Sequence, residues 1–139
     1  MAAATKPIFS LAPNTQWLDT IKAVNTTTDL TSGTIYLLFT ADSTNGGYVD
    51  RILFQSLGTN TATVIRIWIN NGSATSTLAN NSLLGEVTAP SVTVSQIAKL
   101  APVIFLMGYA IPLSYRLYAT LGTDLGTVGY DGVVIAGKY

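Results

Sequence analysis

The chain has 139 residues, of which 48% are apolar and 10% are charged, and its formal net charge is zero. Its seven Lys and Arg residues are placed singly, so no basic stripe exists to neutralise a phosphate backbone, which argues against direct binding of nucleic acid. The sequence contains neither cysteine nor histidine, which excludes disulfides, thiolate chemistry, His-based catalytic triads and the commonest transition-metal ligand.

The low charge predicts a protein that works in contact with other protein surfaces. A chain of this length suits one domain. Ser, Thr, Asn and Gly take the place of the missing charged residues, and little electrostatic repulsion remains to keep copies apart in solution. We therefore expect the protein to pack against copies of itself or against a larger partner.

The first twenty residues are predicted to form an extended N-terminal arm, residues 1–20, ahead of a β-sandwich domain, residues 21–139. Lys6 and Pro7 interrupt the initial apolar run, so we predict no secretion signal. The segment around Trp17 also suits a short helix capped by Asn14, and the sequence leaves that alternative open.

Residues typical of strands dominate the rest of the chain, and Gly and Asn separate them. No segment keeps a 3.6-residue periodicity for more than two turns. The predicted fold class is therefore all-β: a single-domain antiparallel β-sandwich, jelly-roll-like, with about eight strands. The strand candidates are residues 21–27, 33–41, 48–57, 63–70, 83–89, 92–97, 103–110, 115–122 and 128–136.

Two of these predicted strands carry an arginine and an aromatic residue on one face. In residues 63–70 three isoleucines alternate with other residues and indicate the core face, so that Arg66 and Trp68 point outward. The same alternation turns Arg116 and Tyr118 outward in the eighth candidate. Water or another subunit must then receive these four side chains.

A polar tract, residues 70–82, begins with an Asn-Asn-Gly turn at the end of the fourth candidate strand. It contains sequons at Asn71 and Asn80, and a third lies at Asn25; since a composition this rich in Asn, Ser and Thr produces about two by chance, three are a weak signal. Without an export signal we do not predict glycosylation. We interpret the tract as a flexible surface loop whose length serves to reach a neighbouring subunit or a shell.

The longest apolar stretch, residues 101–113, is too short for a membrane helix, which needs about 20 residues. It also contains Pro102 and Pro112. We predict a buried strand here and no membrane association. Residues 33–41 and 103–107 are apolar on both faces, as expected for strands covered on both sides within the fold or at a subunit interface.

The acidic residues give no catalytic or metal-binding pattern. Five of the seven lie at or beside predicted turns, where Asp is favoured for local hydrogen bonding, and no closely spaced set suits calcium. No glycine-rich phosphate motif occurs. We predict no enzyme activity, no cofactor and no metal, and an enzyme that uses two carboxylates is the weakest alternative. The acids are Asp19, Asp29, Asp42, Asp50, Glu86, Asp124 and Asp131.

Two stretches and the C-terminal ending carry a resemblance to a known class of proteins. They are VDRILFQSLGTNTATVIRIWINNGS (49–73), AIPLSYRLYATLGT (110–123) and GYDGVVIAGKY (129–139). Their order of a strand with Arg and an aromatic, an Asn-Asn-Gly loop, a Pro-x-x-Tyr-Arg-Leu strand and a Gly-rich terminal strand resembles small virion structural proteins of tailed bacteriophages. The resemblance covers about two-thirds of the chain and leaves out its first 31 residues.

This resemblance implies a capsid decoration, or cement, protein that self-associates, as a trimer over a local symmetry axis, and stabilises the shell by binding the major capsid protein or another virion protein. The expected location is the capsid surface, after synthesis in the host cytoplasm. A tail or baseplate component and a carbohydrate-binding β-sandwich module are the alternatives. The interface candidates are Phe9, Trp17, Arg66, Trp68, Arg116 and Tyr118.

Overall fold

A computed structural model describes residues 10–139, and this part of the chain folds into nine strands and one 3-10 turn. The strands belong to two antiparallel sheets that pack face to face, so the predicted all-β sandwich is confirmed. The elements are β1 Ala12–Pro13, β2 Gln16–Ile21, β3 Tyr36–Thr40, β4 Gly47–Ser56, β5 Thr63–Asn70, the 3-10 turn Leu78–Asn80, β6 Asn81–Ala89, β7 Val103–Ile111, β8 Arg116–Leu121 and β9 Tyr130–Lys138.

The strand pairing is nested around the β5–β6 hairpin. β5 pairs with β6, β4 with β7, β3 with β8 and β2 with β9, all antiparallel. Two further pairs, β5–β8 and β4–β9, join these units into sheets. The five-stranded sheet has the order β1/β2–β9–β4–β7 and the four-stranded sheet the order β3–β8–β5–β6.

The core lies between the two sheets and follows the two-residue periodicity of the strands. In β5, Ile65 and Ile67 are fully buried, as the alternation predicts, and in β4 Ile52 and Phe54 meet them from the other sheet. Fully burying such a side chain contributes about 1.5 to 3 kcal/mol relative to leaving it exposed. This apolar layer is the main stabilising feature of the sandwich.

Two strand candidates and the helix alternative do not form. Residues 21–27 continue β2 by one residue and then leave the sheet, apart from one bridge between Val24 and Leu121. Residues 92–97 make a single bridge, from Val92 to Asn60, and are otherwise exposed irregular chain. The segment that suited a short helix is β2, because its pairing with β9 satisfies the backbone groups that a helix would have to cap.

The predicted arm lies partly along the five-stranded sheet. Its described residues, 10–20, include β1 and most of β2, both of which pair with β9. The predicted boundary between arm and sandwich, after residue 20, therefore falls inside β2. Residues 1–9, and with them the interface candidate Phe9, lie outside the described part of the chain.

Candidate interface surface

The outer face of the four-stranded sheet carries four of the predicted interface residues. Trp68 on β5 stands directly opposite Tyr118 on β8, as alternation predicts. The two rings are nevertheless 3% and 7% exposed, because a segment of the same chain covers them. That segment is the connection between β2 and β3, residues 22–35, which we call the covering segment. The chain itself receives these side chains, so water or another subunit is not needed to do so.

Leu30 anchors the covering segment on this face. Its side chain is fully buried and packs in one cluster with Trp68 and Tyr118. Its backbone has a φ of 61°, a left-handed conformation that costs a non-glycine residue about 1 to 2 kcal/mol. Burial of a leucine side chain offsets a cost of that size. The Trp68 indole N–H also donates a hydrogen bond of 3.0 Å to Thr120 Oγ1, which satisfies the buried polar edge of the ring.

Asn25 holds the covering segment together from within. Its side-chain amide donates hydrogen bonds of 2.9 Å to the carbonyl oxygens of Ser32 and Thr34, and its Oδ1 accepts one of 2.9 Å from the backbone N–H of Thr27. The residue is buried. The amide nitrogen to which a sugar would be attached is thus already engaged in two hydrogen bonds.

The two arginines on this face lie in polar settings. Arg66 pairs with Glu86 on β6 at 2.7 Å, and a second guanidinium nitrogen donates to the carbonyl oxygen of Asn25 at 3.4 Å. Arg116 lies between Asn70 and Thr40 in the strand register and is half-buried. Of the two arginines, Arg66 is the one with a hydrogen bond to the covering segment.

Beside Arg66 the sheet has a shallow cavity of about 370 Å³. Its walls are mainly apolar, and the Arg66 charge at its edge is already paired with Glu86. Small ligand sites combine an apolar lining with several converging polar groups. The cavity has the first of these features, and its lining residues are Ala62, Thr63, Val64, Arg66, Thr88, Gly122 and Thr123.

The remaining candidate, Trp17, lies on the opposite side of the molecule, on the outer face of the five-stranded sheet. It is 70% exposed. In the strand register Trp17 is opposite Val133, Val133 is opposite Leu53, and Leu53 is opposite Ile104. An apolar row therefore crosses the whole sheet from β2 to β7.

A second row extends this surface. Ile135 on β9 is opposite Arg51 on β4, which is opposite Leu106 on β7, and Leu106 is 75% exposed. Arg51 pairs with its neighbour Asp50, so its charge is balanced locally. We define the apolar face as Trp17, Leu53, Ile104, Leu106, Val133 and Ile135. Three of these side chains are exposed, and Leu53, Val133 and Ile135 are half-buried between them.

The acidic residues lie apart from one another and serve local structure. Asp42 Oδ1 accepts hydrogen bonds of 2.9 Å from the backbone N–H groups of Thr44 and Asn45, and these, with the more distant charge of Lys138, lower the pKa of Asp42. Hydrogen bonds from the backbone and hydroxyl of Thr31 lower the pKa of Asp29 in the same way. Within residues 10–139 no cluster of three or more potential metal ligands is present.

Comparison with known proteins identified no matching family model, no matching curated protein and no matching solved structure. The resemblance to virion proteins of tailed phages therefore stays a prediction. In the described chain no helix has the length and hydrophobicity that crossing a bilayer requires.

Sequence reasoning found Trp17 but missed the rest of the apolar face. The available signal was the run in residues 103–107, apolar on both faces, which predicted a strand covered on both sides. The structure gives β7 one covered face, bearing Phe105, and one open face, bearing Ile104 and Leu106. Nothing in the sequence marked Leu53 and Val133 as surface residues, since their strands have the pattern of ordinary core strands. Only the strand register shows that the two residues are neighbours on the outer face.

Proposed function

We propose that this protein is a non-enzymatic structural component of a tailed-phage particle, most simply a capsid decoration protein that self-associates and stabilises the shell. The apolar face carries this proposal. Six apolar side chains spread over four strands form a continuous surface, and the single charge inside it, Arg51, is balanced by Asp50. A surface with these properties suits permanent contact with a larger, largely uncharged partner such as a protein shell.

The nested strand pairing supports the assignment. We infer a jelly-roll arrangement, with β1 as an addition at one edge; the four antiparallel pairs nested around one hairpin, and their division between two sheets, support this inference. Jelly rolls are common in viral capsid proteins and in lectins. The fold alone supports a viral role only by analogy with other proteins. The apolar face is the feature that favours a structural role.

In this role the protein works by burying surface. Each Å² of apolar area removed from water contributes about 25 cal/mol, and a standard interface buries about 800 Å² on each partner. The described chain exposes 7647 Å² in all, so one such contact uses roughly a tenth of its surface. A flat sheet face can reach across the boundary between two shell subunits and resist their separation.

The proposal is tested on particles from the virus that carries this gene. Mass spectrometry of purified particles should detect the protein, and a reconstruction should place its five-stranded sheet against the major capsid protein. Particles assembled without it should bind the purified wild-type chain. Trp17→Lys should bind at least about tenfold more weakly, because a charge then sits in the desolvated contact.

A matched control is Thr61→Lys, which adds the same charge at an exposed position away from the apolar face. It should bind like the wild type. Absence of the protein from purified particles, or unchanged binding by Trp17→Lys, would contradict the proposal. Location at the tail or baseplate would retain the structural role and replace the capsid partner.

A carbohydrate-binding module is the second candidate, and the exposure of Trp17 is the observation that favours it. An indole ring lying open on a flat sheet can stack against a sugar ring. A glycan array distinguishes the two: a hit that Trp17→Ala abolishes would support sugar binding. A structural role predicts no hit.

A further inference from the structure

Apart from the two-residue β1, four strands lie at the sheet edges, and they differ in how they are protected against pairing with another chain. β3 has five residues and a register irregularity between Leu37 and Phe39. β6 carries Glu86, and the β5–β6 ladder shifts register beside it. β2 carries Asp19 and has a register shift before Ile21. Short length, charges and bulges are the features that keep natural sheet edges from pairing.

β7 has none of these features over its first four residues, Val103 to Leu106. These four residues and Met107 are apolar, and the register with β4 is regular from Leu106 to Val103. The bulge follows at Met107 and Gly108, and Gly108 has a φ of 73°. β4 is the strand to which β7 is hydrogen-bonded, and no other described segment donates to or accepts from the backbone of residues 103–110. The outer backbone edge of this strand is open.

We propose that two copies of this chain pair through β7, antiparallel and about a two-fold axis at Phe105, to form one continuous sheet. This deepens the self-association in the proposed function and rests on it. In this register Ile104 of one copy faces Leu106 of the other, and Val103 faces Met107. Apolar side chains then meet apolar side chains on both faces of the new pair, which stabilises cross-strand contacts.

A second copy is the occupant that fits this edge. The segment has no charge that would call for an oppositely charged partner, and its sequence is complementary to itself when it is reversed about Phe105. A two-fold contact uses the same patch on both partners, as self-complementarity requires. One pair of five-residue segments is smaller than a standard interface of about 800 Å² per partner, so we expect weak, reversible association in solution.

Pairing through β7 would place the apolar faces of the two copies side by side. A two-fold axis between antiparallel strands of one sheet is perpendicular to that sheet, so both apolar faces lie on the same side of the dimer. The two copies then present one apolar surface of twice the area. A weak dimer in solution becomes a stronger one when both halves bind the same shell.

The test uses opposite charges at two exposed positions. In one variant Ile104 and Leu106 are both replaced by Lys (I104K/L106K), and in the other both are replaced by Glu (I104E/L106E). Each variant alone places like charges directly opposite each other across the axis, so its dimer dissociation constant should rise at least about tenfold. An equimolar mixture should form a heterodimer, because every facing pair is then Lys with Glu.

Sedimentation equilibrium of the purified full-length chains measures these constants, and circular dichroism confirms that each variant is folded. Ile104 and Leu106 are exposed, so their replacement leaves the core intact. A wild-type chain that stays monomeric at 200 µM would overturn the proposal, as would double variants that associate like the wild type. Failure of the mixture to associate would overturn the register.

Trp17→Lys is the control, since it adds a charge on the same sheet face but at the opposite edge. It should dimerise like the wild type while binding particles weakly. Dimerisation is measured without particles, so the outcome does not depend on where, or whether, the protein docks.

Discussion

The environment of Trp68 shows what residue-level reasoning from sequence can establish. Alternation with the buried Ile65 and Ile67 correctly placed Trp68 on the outer face of its sheet. Alternation says nothing about what covers that face. The covering is supplied by residues 22–35, most of which were predicted as parts of two strands, and by one leucine within that segment, Leu30.

Leu30 should be the most sensitive position in the covering segment. Leu30→Ala should lower the free energy of unfolding by about 2 to 5 kcal/mol, because it leaves a cavity over Trp68 and Tyr118. Leu30→Gly removes the same contacts but relieves the left-handed backbone conformation, by about 1 kcal/mol. The glycine variant should therefore be no less stable than the alanine variant in urea denaturation. The opposite order, which is usual elsewhere, would show that the backbone conformation carries no strain.

Asp42 should contribute to the loss of stability in acid. Its pKa in the folded chain lies below the usual 3.8, mainly because the N–H groups of Thr44 and Asn45 stabilise the carboxylate. The folded state therefore gains stability from this group above pH 3.8 and loses it as the pH falls through the lowered pKa. Urea denaturation at pH 2 to 7 measures the slope below about pH 4, which Asp42→Asn should reduce. Ser43→Asn, in the same turn, should leave the slope unchanged.

At the scale of elements, the polar loop between β5 and β6 is held by asparagine side chains. Asn81 donates hydrogen bonds of 2.7 Å to the carbonyl oxygen of Thr75 and 3.3 Å to that of Thr77, and its Oδ1 accepts one of 2.8 Å from the buried Asn70. A Cβ on Gly72 would lie 2.7 Å from the carbonyl oxygen of Ser114. These contacts explain the composition of the loop: its asparagine side chains hydrogen-bond to its own backbone and to one another.

Removal of one loop asparagine tests this description. Asn81→Ala should lower the free energy of unfolding by about 1 to 3 kcal/mol, because the buried Asn70 amide loses its acceptor. Asn71→Ala removes a side chain of the same kind from an exposed position in the same loop, and it should cost less. Chemical denaturation of both variants gives the comparison. Equal effects would contradict a special role for Asn81.

The two strand candidates that did not form show why strands cannot be predicted from side-chain alternation alone. Residues 92–95 alternate apolar and polar residues like the true strands, yet Val94 is exposed, as is the following Ile97, and a single bridge, at Val92, ties the segment to Asn60. Strand formation requires a partner strand with free backbone groups, and sequence alternation reports only the side chains. Turn residues such as Asn70 and Gly72 were more reliable because their preference is local.

At the scale of the whole molecule, composition and turn spacing predicted the class of fold but not the register. Strands of the β-sandwich were recognisable one by one because each is bounded by its own turn residues. The apolar face required knowledge of which strands are neighbours, since Trp17 and Ile104 are far apart in sequence and are joined only through Val133 and Leu53. Long-range pairing of this kind is specified by the complete core rather than by any one segment.

The pairing of the first and last strands has a mechanical consequence. Leu11 donates a hydrogen bond of 2.8 Å to the carbonyl oxygen of Lys138, so β1 and β9 run antiparallel at one edge of the sandwich. A force that pulls these two ends apart breaks the hydrogen bonds between β1 and β9 one after another. A force spread over the face of the five-stranded sheet loads many hydrogen bonds at once. We therefore expect the molecule to resist force better when it is bound through that face than when it is pulled by these two ends.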